Sequence, residues 1–258
     1  MKKKLLSLVL VAAMALAAVA CGSTEEADAP AATEEAAEAK DVLVMGTNAE
    51  FPPYEYYEGQ EIVGIDAEIA AAVAEKLGCE LKIEDMAFDS IIAAVTSGKV
   101  DFGLAGMTVT EDRLESVNFS DTYATATQVV IVTEDSEIAG VADLDGKTIG
   151  VQLGTTGDIY AGDIADATIE RYNKGFEAVQ ALTQGKIDAV IIDNEPAKVF
   201  VAENEGTKIL EEDFAVEEYA MAIAKENTEL LEKVNEALAE LEADGTLQAI
   251  VDKYISAE

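Results

Sequence analysis

Two stretches of this chain repeat one another. Ile91-Ile92-Ala93-Ala94-Val95-Thr96-Ser97-Gly98-Lys99-Val100-Asp101 is matched by Ala178-Val179-Gln180-Ala181-Leu182-Thr183-Gln184-Gly185-Lys186-Ile187-Asp188. Each reads as a helix, a Gly-Lys stop, a β-branched residue and an Asp at the head of a strand. Glycine just past a helix takes the left-handed conformation that a Cβ resists. A helix-to-strand unit used twice points to two α/β lobes built alike. The C-terminal ends of their strands would face a shared cleft, where open α/β sheets bind ligands. Each copy also ends where candidate site residues begin: Ala105-Gly106-Met107-Thr108 after the first, Asp193-Asn194 after the second.

The rest of the chain keeps the alternation. Strands are predicted at 41–46, 81–83, 100–104, 128–133, 148–151, 187–192 and 219–224. Helices are predicted at 66–77, 88–97, 176–184, 195–203 and 228–243, with a last short helix carrying Leu247, Ile250, Val251 and Tyr254. In the first helix Ile65, Ile69, Val73 and Leu77 recur every four residues, and Gly78 ends it; in the 228–243 helix Leu231, Val234, Leu238 and Leu241 are the predicted inward face. Strands alternating with helices imply α/β lobes with mixed, mainly parallel sheets covered on both faces.

The N-terminus is of another kind. Met1-Lys2-Lys3-Lys4 precedes an apolar run over 5–20, broken only by Ser7, and then Cys21-Gly22-Ser23. A basic start, an apolar core and small residues make a secretory signal, too short for a comfortable membrane span. Residues 22–40 hold no aromatic or large aliphatic side chain. They read as a disordered acidic tether. From Val42 onward the chain is long enough for one large domain or two small ones.

Charge and composition exclude several classes. There are 52 acidic residues against 17 basic, a formal net charge of −35. That argues against nucleic acid and against direct contact with an anionic lipid surface. The chain has no His, which removes the commonest general base and metal ligand. After Cys21 the only cysteine is Cys79, so the body has no intrachain disulfide. No catalytic group, metal site or cofactor is expected.

Against that acidity one cation stands out. Ala105-Gly106-Met107-Thr108-Val109-Thr110-Glu111-Asp112-Arg113 places an Arg shortly after a strand, a Gly-containing turn and a Thr. A guanidinium fits a carboxylate bidentately, so Arg113 is a candidate for binding a small anion.

The chain resembles the extracytoplasmic solute-binding proteins of amino-acid ABC transporters, family-3 type, over nearly all of 42–258. The resemblance rests on Thr47-Asn48-Ala49-Glu50-Phe51-Pro52-Pro53-Tyr54-Glu55, on Gly64-Ile65-Asp66-Ala67-Glu68-Ile69, on Phe88-Asp89-Ser90, on the run from Gly106 to Arg113 with Asn118-Phe119-Ser120, on Gly154-Thr155-Thr156-Gly157, and on Ala243-Asp244-Gly245-Thr246. Ala67 stands where a larger aliphatic is usual. Cys21 resembles a lipobox cysteine, with Ala18 where Leu is preferred.

The resemblance implies a type II periplasmic-binding-protein fold. Lobe 1 would be 41–131 plus 220–258 and lobe 2 would be 132–219, joined by two hinge strands near Ile131 and Tyr219. Residues 1–21 would be a lipoprotein signal peptide, and Cys21 the acylated residue. The protein would be a monomeric, lipid-anchored subunit on the outer face of the cytoplasmic membrane, passing a polar or basic L-amino acid to a permease. Arg113 would take the α-carboxylate, with Thr108, Thr155 and Thr156 adding donors. Asp193 and the Gly106 carbonyl would receive the α-ammonium. Phe51 and Phe88 would sandwich the side chain, whose end would meet Asn48, Glu50 and Gln152. The alternatives are a secreted cyclohexadienyl or arogenate dehydratase-like enzyme on the same scaffold, and a ligand-binding sensor or adhesin.

Overall fold

The computed structural model describes residues Asp41–Ile255. The expected signal peptide, Cys21 and the tether lie outside the described residues.

Two sheets carry the body, and they share one plan. In the first the order is Glu80–Asp85, Val42–Thr47, Phe102–Gly103, Ala222–Ala224, Val117–Phe119. In the second it is Thr168–Tyr172, Thr148–Gln152, Ala189–Asp193, Ala124–Thr133, Thr207–Ile209. Three parallel strands begin each sheet, and an antiparallel strand follows them. A hairpin sheet of Glu50–Phe51, Glu55–Glu58 and Glu61–Val63 sits beside the first.

The repeated sequence explains the shared plan down to single hydrogen bonds. Gly98 and Gly185 both have left-handed φ, 70° and 66°. Lys99 N–H then donates to the Ala94 carbonyl at 2.9 Å, and Lys186 N–H to Ala181 at 3.0 Å. The Asp that ends each repeat locks onto the middle of the three parallel strands of its own sheet. Asp101 Oδ2 accepts from Val44 N–H at 2.7 Å, and Asp188 Oδ2 from Thr148 N–H at 2.8 Å. Thus one eleven-residue pattern sets a helix end, a turn and a strand register twice.

Helices cover the sheets by burying one stripe each. Ile65–Leu77 buries Ile65, Ile69 and Val73, and Gly78 ends it in a left-handed conformation. Thr228–Ala243 buries Leu230, Val234, Ala237, Leu238 and Leu241. The predicted Leu231 is half-buried against the same core and Leu230 is buried beside it, because the stripe drifts around a 3.6-residue turn and includes Ala237. At about 1.5–3 kcal/mol for each fully buried large aliphatic, these stripes, not helix propensity, hold the helices in place.

Two predicted boundaries are corrected. The single strand expected at 219–224 is two. Ala215–Tyr219 pairs with Ala124–Gln128 alongside the second sheet, whereas Ala222–Ala224 pairs in the first. The chain changes sheets at Ala220-Met221, which composition does not signal because apolar residues run unbroken from Tyr219 to Ala224. The predicted strand at 128–133 begins earlier, at Ala124. Its residues Gln128–Ile131 already pair in the second sheet. Ala124–Thr133 and Ala215–Tyr219 form the antiparallel ribbon between the lobes, and Met107–Val109 of the first lobe runs beside it through Val109 N–H to Glu218 O at 3.1 Å and Ala220 N–H to Met107 O at 3.1 Å.

Candidate functional site

Strand ends from both lobes meet at one narrow cavity. Val42–Thr47 leads to Asn48, Phe102–Gly103 to Gly106 and Thr108, Thr148–Gln152 ends on Gln152, and Ala189–Asp193 ends on Asp193. Phe51, Phe88, Arg113, Thr155 and Thr156 line it as well. Of the predicted ligand contacts only Glu50 lies outside this lining. It pairs instead with Lys174 of the second lobe. Two lining residues were not predicted, Glu55 and Ala105.

Arg113 sits on the one-turn helix Glu111–Leu114, which Thr110 caps by accepting the Arg113 N–H at 3.2 Å. Its guanidinium is buried and bridges the lobes. Nη1 donates to the Thr108 carbonyl at 2.7 Å and Nη2 to the Gly154 carbonyl at 3.1 Å. Its Cζ lies 5.4 Å from the centre of the Phe88 ring, a cation–π arrangement. Burial works against the charge, and the carboxylates of Glu217 and Asp193 support it.

Asp193 is buried and doubly held. Gln128 Nε2 donates to its Oδ2 at 2.7 Å, and the Tyr219 hydroxyl donates to Oδ1. Burial nevertheless pushes its pKa up to about 7, since removing a carboxylate from water disfavours its charged form. Gly106 has φ +51°, and a Cβ there would stand 3.0 Å from the Phe51 ring. Only glycine lets the backbone turn into the cavity at this point. Its N–H is anchored by Asp66 Oδ2 at 2.7 Å.

Glu217 ties the two lobes and the ribbon together. Its Oε2 accepts from Thr108 Oγ1 at 2.9 Å, from Thr156 Oγ1 at 3.0 Å and from Gln128 Nε2 at 3.1 Å. Sequence reasoning missed Glu217, Gln128 and Tyr219. No sequence signal marks Glu217: Ala-Val-Glu-Glu-Tyr shows no polar alternation, and in the fold Val216 is 69% exposed and Glu217 4%. An acid on the inward face of a strand needs partners when buried.

At the far end of the cavity Gln152 Nε2 donates to Asn48 Oδ1 at 2.8 Å across the lobes and to the Asn173 carbonyl at 3.2 Å. Thr155 caps the short helix Thr156–Ala161, its Oγ1 accepting the Asp158 N–H at 3.3 Å. The cavity therefore offers a buried cation, a buried anion, two aromatic faces and an amide pair.

A two-lobed α/β molecule with a cleft at its strand ends, crossed by an antiparallel ribbon, has the type II periplasmic-binding-protein fold. The chain belongs to the bacterial extracellular solute-binding proteins, family 3, whose model matches residues 43–257. It is 36% identical to the arginine-binding extracellular protein ArtP of Bacillus subtilis (strain 168), over 99% of each chain. It is 43% identical, with a TM-score of 0.80, to the crystal structure of the substrate-binding protein of an amino acid ABC transporter, covering 84% of this chain and 100% of that one. An ancestral arginine-binding protein, solved bound to arginine and also bound to glutamine, is 40% identical with a TM-score of 0.81, covering 84% of this chain and 99% of the other. These relatives are binding proteins. No helix among the described residues is long and apolar enough to cross a membrane.

Proposed function

We propose that this protein captures an L-α-amino acid with a polar or basic side chain and delivers it to the permease of an ABC importer, held at the outer face of the cytoplasmic membrane by a lipid on Cys21. The observation that carries the reading is that Arg113 and Asp193, a buried cation and a buried anion from opposite lobes, line one cavity. An α-amino acid carries the complementary pair of charges. Its carboxylate would take the Arg113 guanidinium, and its ammonium would take Asp193 and the Gly106 carbonyl. Phe51 and Phe88 would flank the side chain, and Asn48 with Gln152 would meet its end. Arginine and glutamine, the ligands of the ancestral relative, both carry planar N–H groups suited to that amide pair.

Lobe 1 would hold 41–123 with 222–258, and lobe 2 most of the residues between. The crossings would lie in Ala124–Gln128 and at Ala215–Met221. A ligand touching both lobes stabilises the closed form by its contacts there.

Thermal unfolding of the refolded body against the twenty L-amino acids tests this. Ligand at about a thousandfold above Kd adds roughly 4 kcal/mol, a clear rise in Tm with one or a few polar or basic amino acids. Arg113→Ala should remove the rise, because losing one partner of a buried charge pair costs about 3–5 kcal/mol. No rise with any amino acid would overturn the reading.

A further inference from the structure

Beside the Asp193 carboxylate the cleft wall carries an acid that the proposed ligand contacts do not use. Glu55 lines the cavity and is 1% exposed. Neither of its oxygens receives a hydrogen bond from any donor group, and Oδ1 of Asp66 is in the same position. The other Asp66 oxygen is taken twice, by Gly106 N–H at 2.7 Å and by the Tyr123 hydroxyl at 3.0 Å. The two buried acids are held side by side, because Asp66 N–H donates to the carbonyl of Tyr54, the residue before Glu55, at 2.9 Å, and each acid's charge disfavours the other's. Two carboxylates out of water stay side by side only by sharing a proton, as like charges at such range cannot both ionise.

We propose that Glu55 carries this proton, donating it to Asp66 in the ligand-free cleft, and that the ammonium of the bound amino acid displaces it to solvent. This rests on the amino-acid reading above. The exchange balances: the Glu55 O–H breaks, the proton leaves to buffer, and the cationic ammonium replaces it as the positive charge among the acids.

The surroundings agree. Asp66 faces Glu55 from the helix Ile65–Leu77, and Asp193 from the end of the strand Ala189–Asp193. Tyr123 and Tyr219 donate to those acids and remain neutral, and burial pushes the Tyr54 hydroxyl up as well. Glu217 shares Gln128 with Asp193, Glu195 lies in the first turn of the next helix, and Arg113 is the one cation lining the cavity. Burial, and then Asp66, raise the Glu55 pKa well above the ordinary carboxylate range, while burial brings Asp66 up to about 6. A cation brought beside an acid favours its ionised form. Bound protein therefore holds fewer protons than free protein, and affinity must rise with pH.

The test is calorimetric titration at neutral pH with L-arginine, or L-glutamine if arginine gives no thermal shift, in two buffers of different ionisation enthalpy. The wild-type protein should release close to one proton per ligand, and its affinity should rise up to tenfold per pH unit below the cluster's apparent pKa. Glu55→Gln, an uncharged isostere that keeps an N–H donor toward Asp66, should bind with proton release largely abolished. Binding without proton release in the wild type would overturn the proposal. Release that persists undiminished in Glu55→Gln would overturn it too, by assigning the proton to Asp193. Should Glu55→Gln not fold, difference infrared spectra of the wild type decide. A protonated-carboxyl C=O band lost on ligand addition supports the exchange, and absence of such a band refutes it. Failure of the amino-acid reading shows differently, as no binding heat at all.

Discussion

At the residue scale, Gly154 joins the two lobes in a way that only glycine permits. It has φ +79°, and its carbonyl accepts from Arg113 Nη2. A Cβ there would stand 3.0 Å from the Asp89 Cβ and 3.3 Å from its Cα, which belong to the other lobe. Gly146 shares the backbone conformation, φ +70°, but a Cβ would meet nothing within 4 Å. The pair separates two costs. Both Gly→Ala changes carry the left-handed penalty, about 1–2 kcal/mol, and only Gly154→Ala also wedges the closed cleft. Gly154→Ala should weaken amino-acid binding by about tenfold or more, whereas Gly146→Ala should lower Tm by a similar amount and leave Kd unchanged. Equal effects on Kd would show that lobe closure does not use this contact. Arg113 was legible because it is a lone cation after a Gly-Thr turn in an acidic chain. Glu55 was not: it stands among Glu50, Glu58 and Glu61, and only the folded neighbourhood separates a buried acid from one half-buried and two exposed.

At the element scale, the repeated helix-to-strand unit rests on its closing aspartates. Each accepts a backbone N–H from the middle of its sheet's three parallel strands, a hydrogen bond to a charged group worth about 1.5–3 kcal/mol when shielded. Asp101 is half-buried and Asp188 exposed, so water competes more with the second. Asp101→Ala should therefore cost about 1–2 kcal/mol in denaturant unfolding and Asp188→Ala less than about 1. The reverse order would mean that the bond's environment does not set its worth. Because this unit is written twice, the two-lobed plan could be read before any coordinates. The strong helices were also legible, each carrying a long periodic stripe and, at 78, 98, 185 and 245, a glycine stop. What escaped were short strands. Glu50–Phe51 and Val117–Phe119 are too brief to show a period. Thr168–Tyr172, on a sheet edge and with no buried residue, owes its form to its neighbour Thr148–Gln152. The sheet change at Ala220-Met221 escaped for the same reason: pairing partners, not composition, decide it.

At the scale of the whole molecule, closure and selectivity meet in one contact. Polar links between the lobes include, in this order, Arg113 to the Gly154 carbonyl, Gln152 to Asn48, and Lys174 to Glu50. The first two line the cavity and would be remade around a ligand. The third lies at its border, where Lys174 also stands 5.7 Å from the Phe176 ring. Both partners are partly exposed, with side chains 37% and 29% accessible, so the pair is worth about 0.2–1 kcal/mol. It favours the closed arrangement for any ligand, yet it occupies the one acid predicted to suit a basic side chain. These roles oppose each other and give opposite signs for different ligands. Lys174→Met should weaken binding of L-glutamine by up to about fivefold, the loss of closing energy alone. The same change should leave L-arginine binding equal or tighter, because Glu50 becomes available to the guanidinium. Adding Glu50→Gln to Lys174→Met should leave glutamine affinity unmoved and reduce arginine affinity. Titration of both amino acids into the three variants, with scattering to measure the radius of gyration without ligand, checks the argument. If glutamine and arginine affinities fall in parallel in Lys174→Met, the pair is a latch with no part in selectivity. If neither moves and the radius of gyration stays the same, it is a surface ion pair and nothing more.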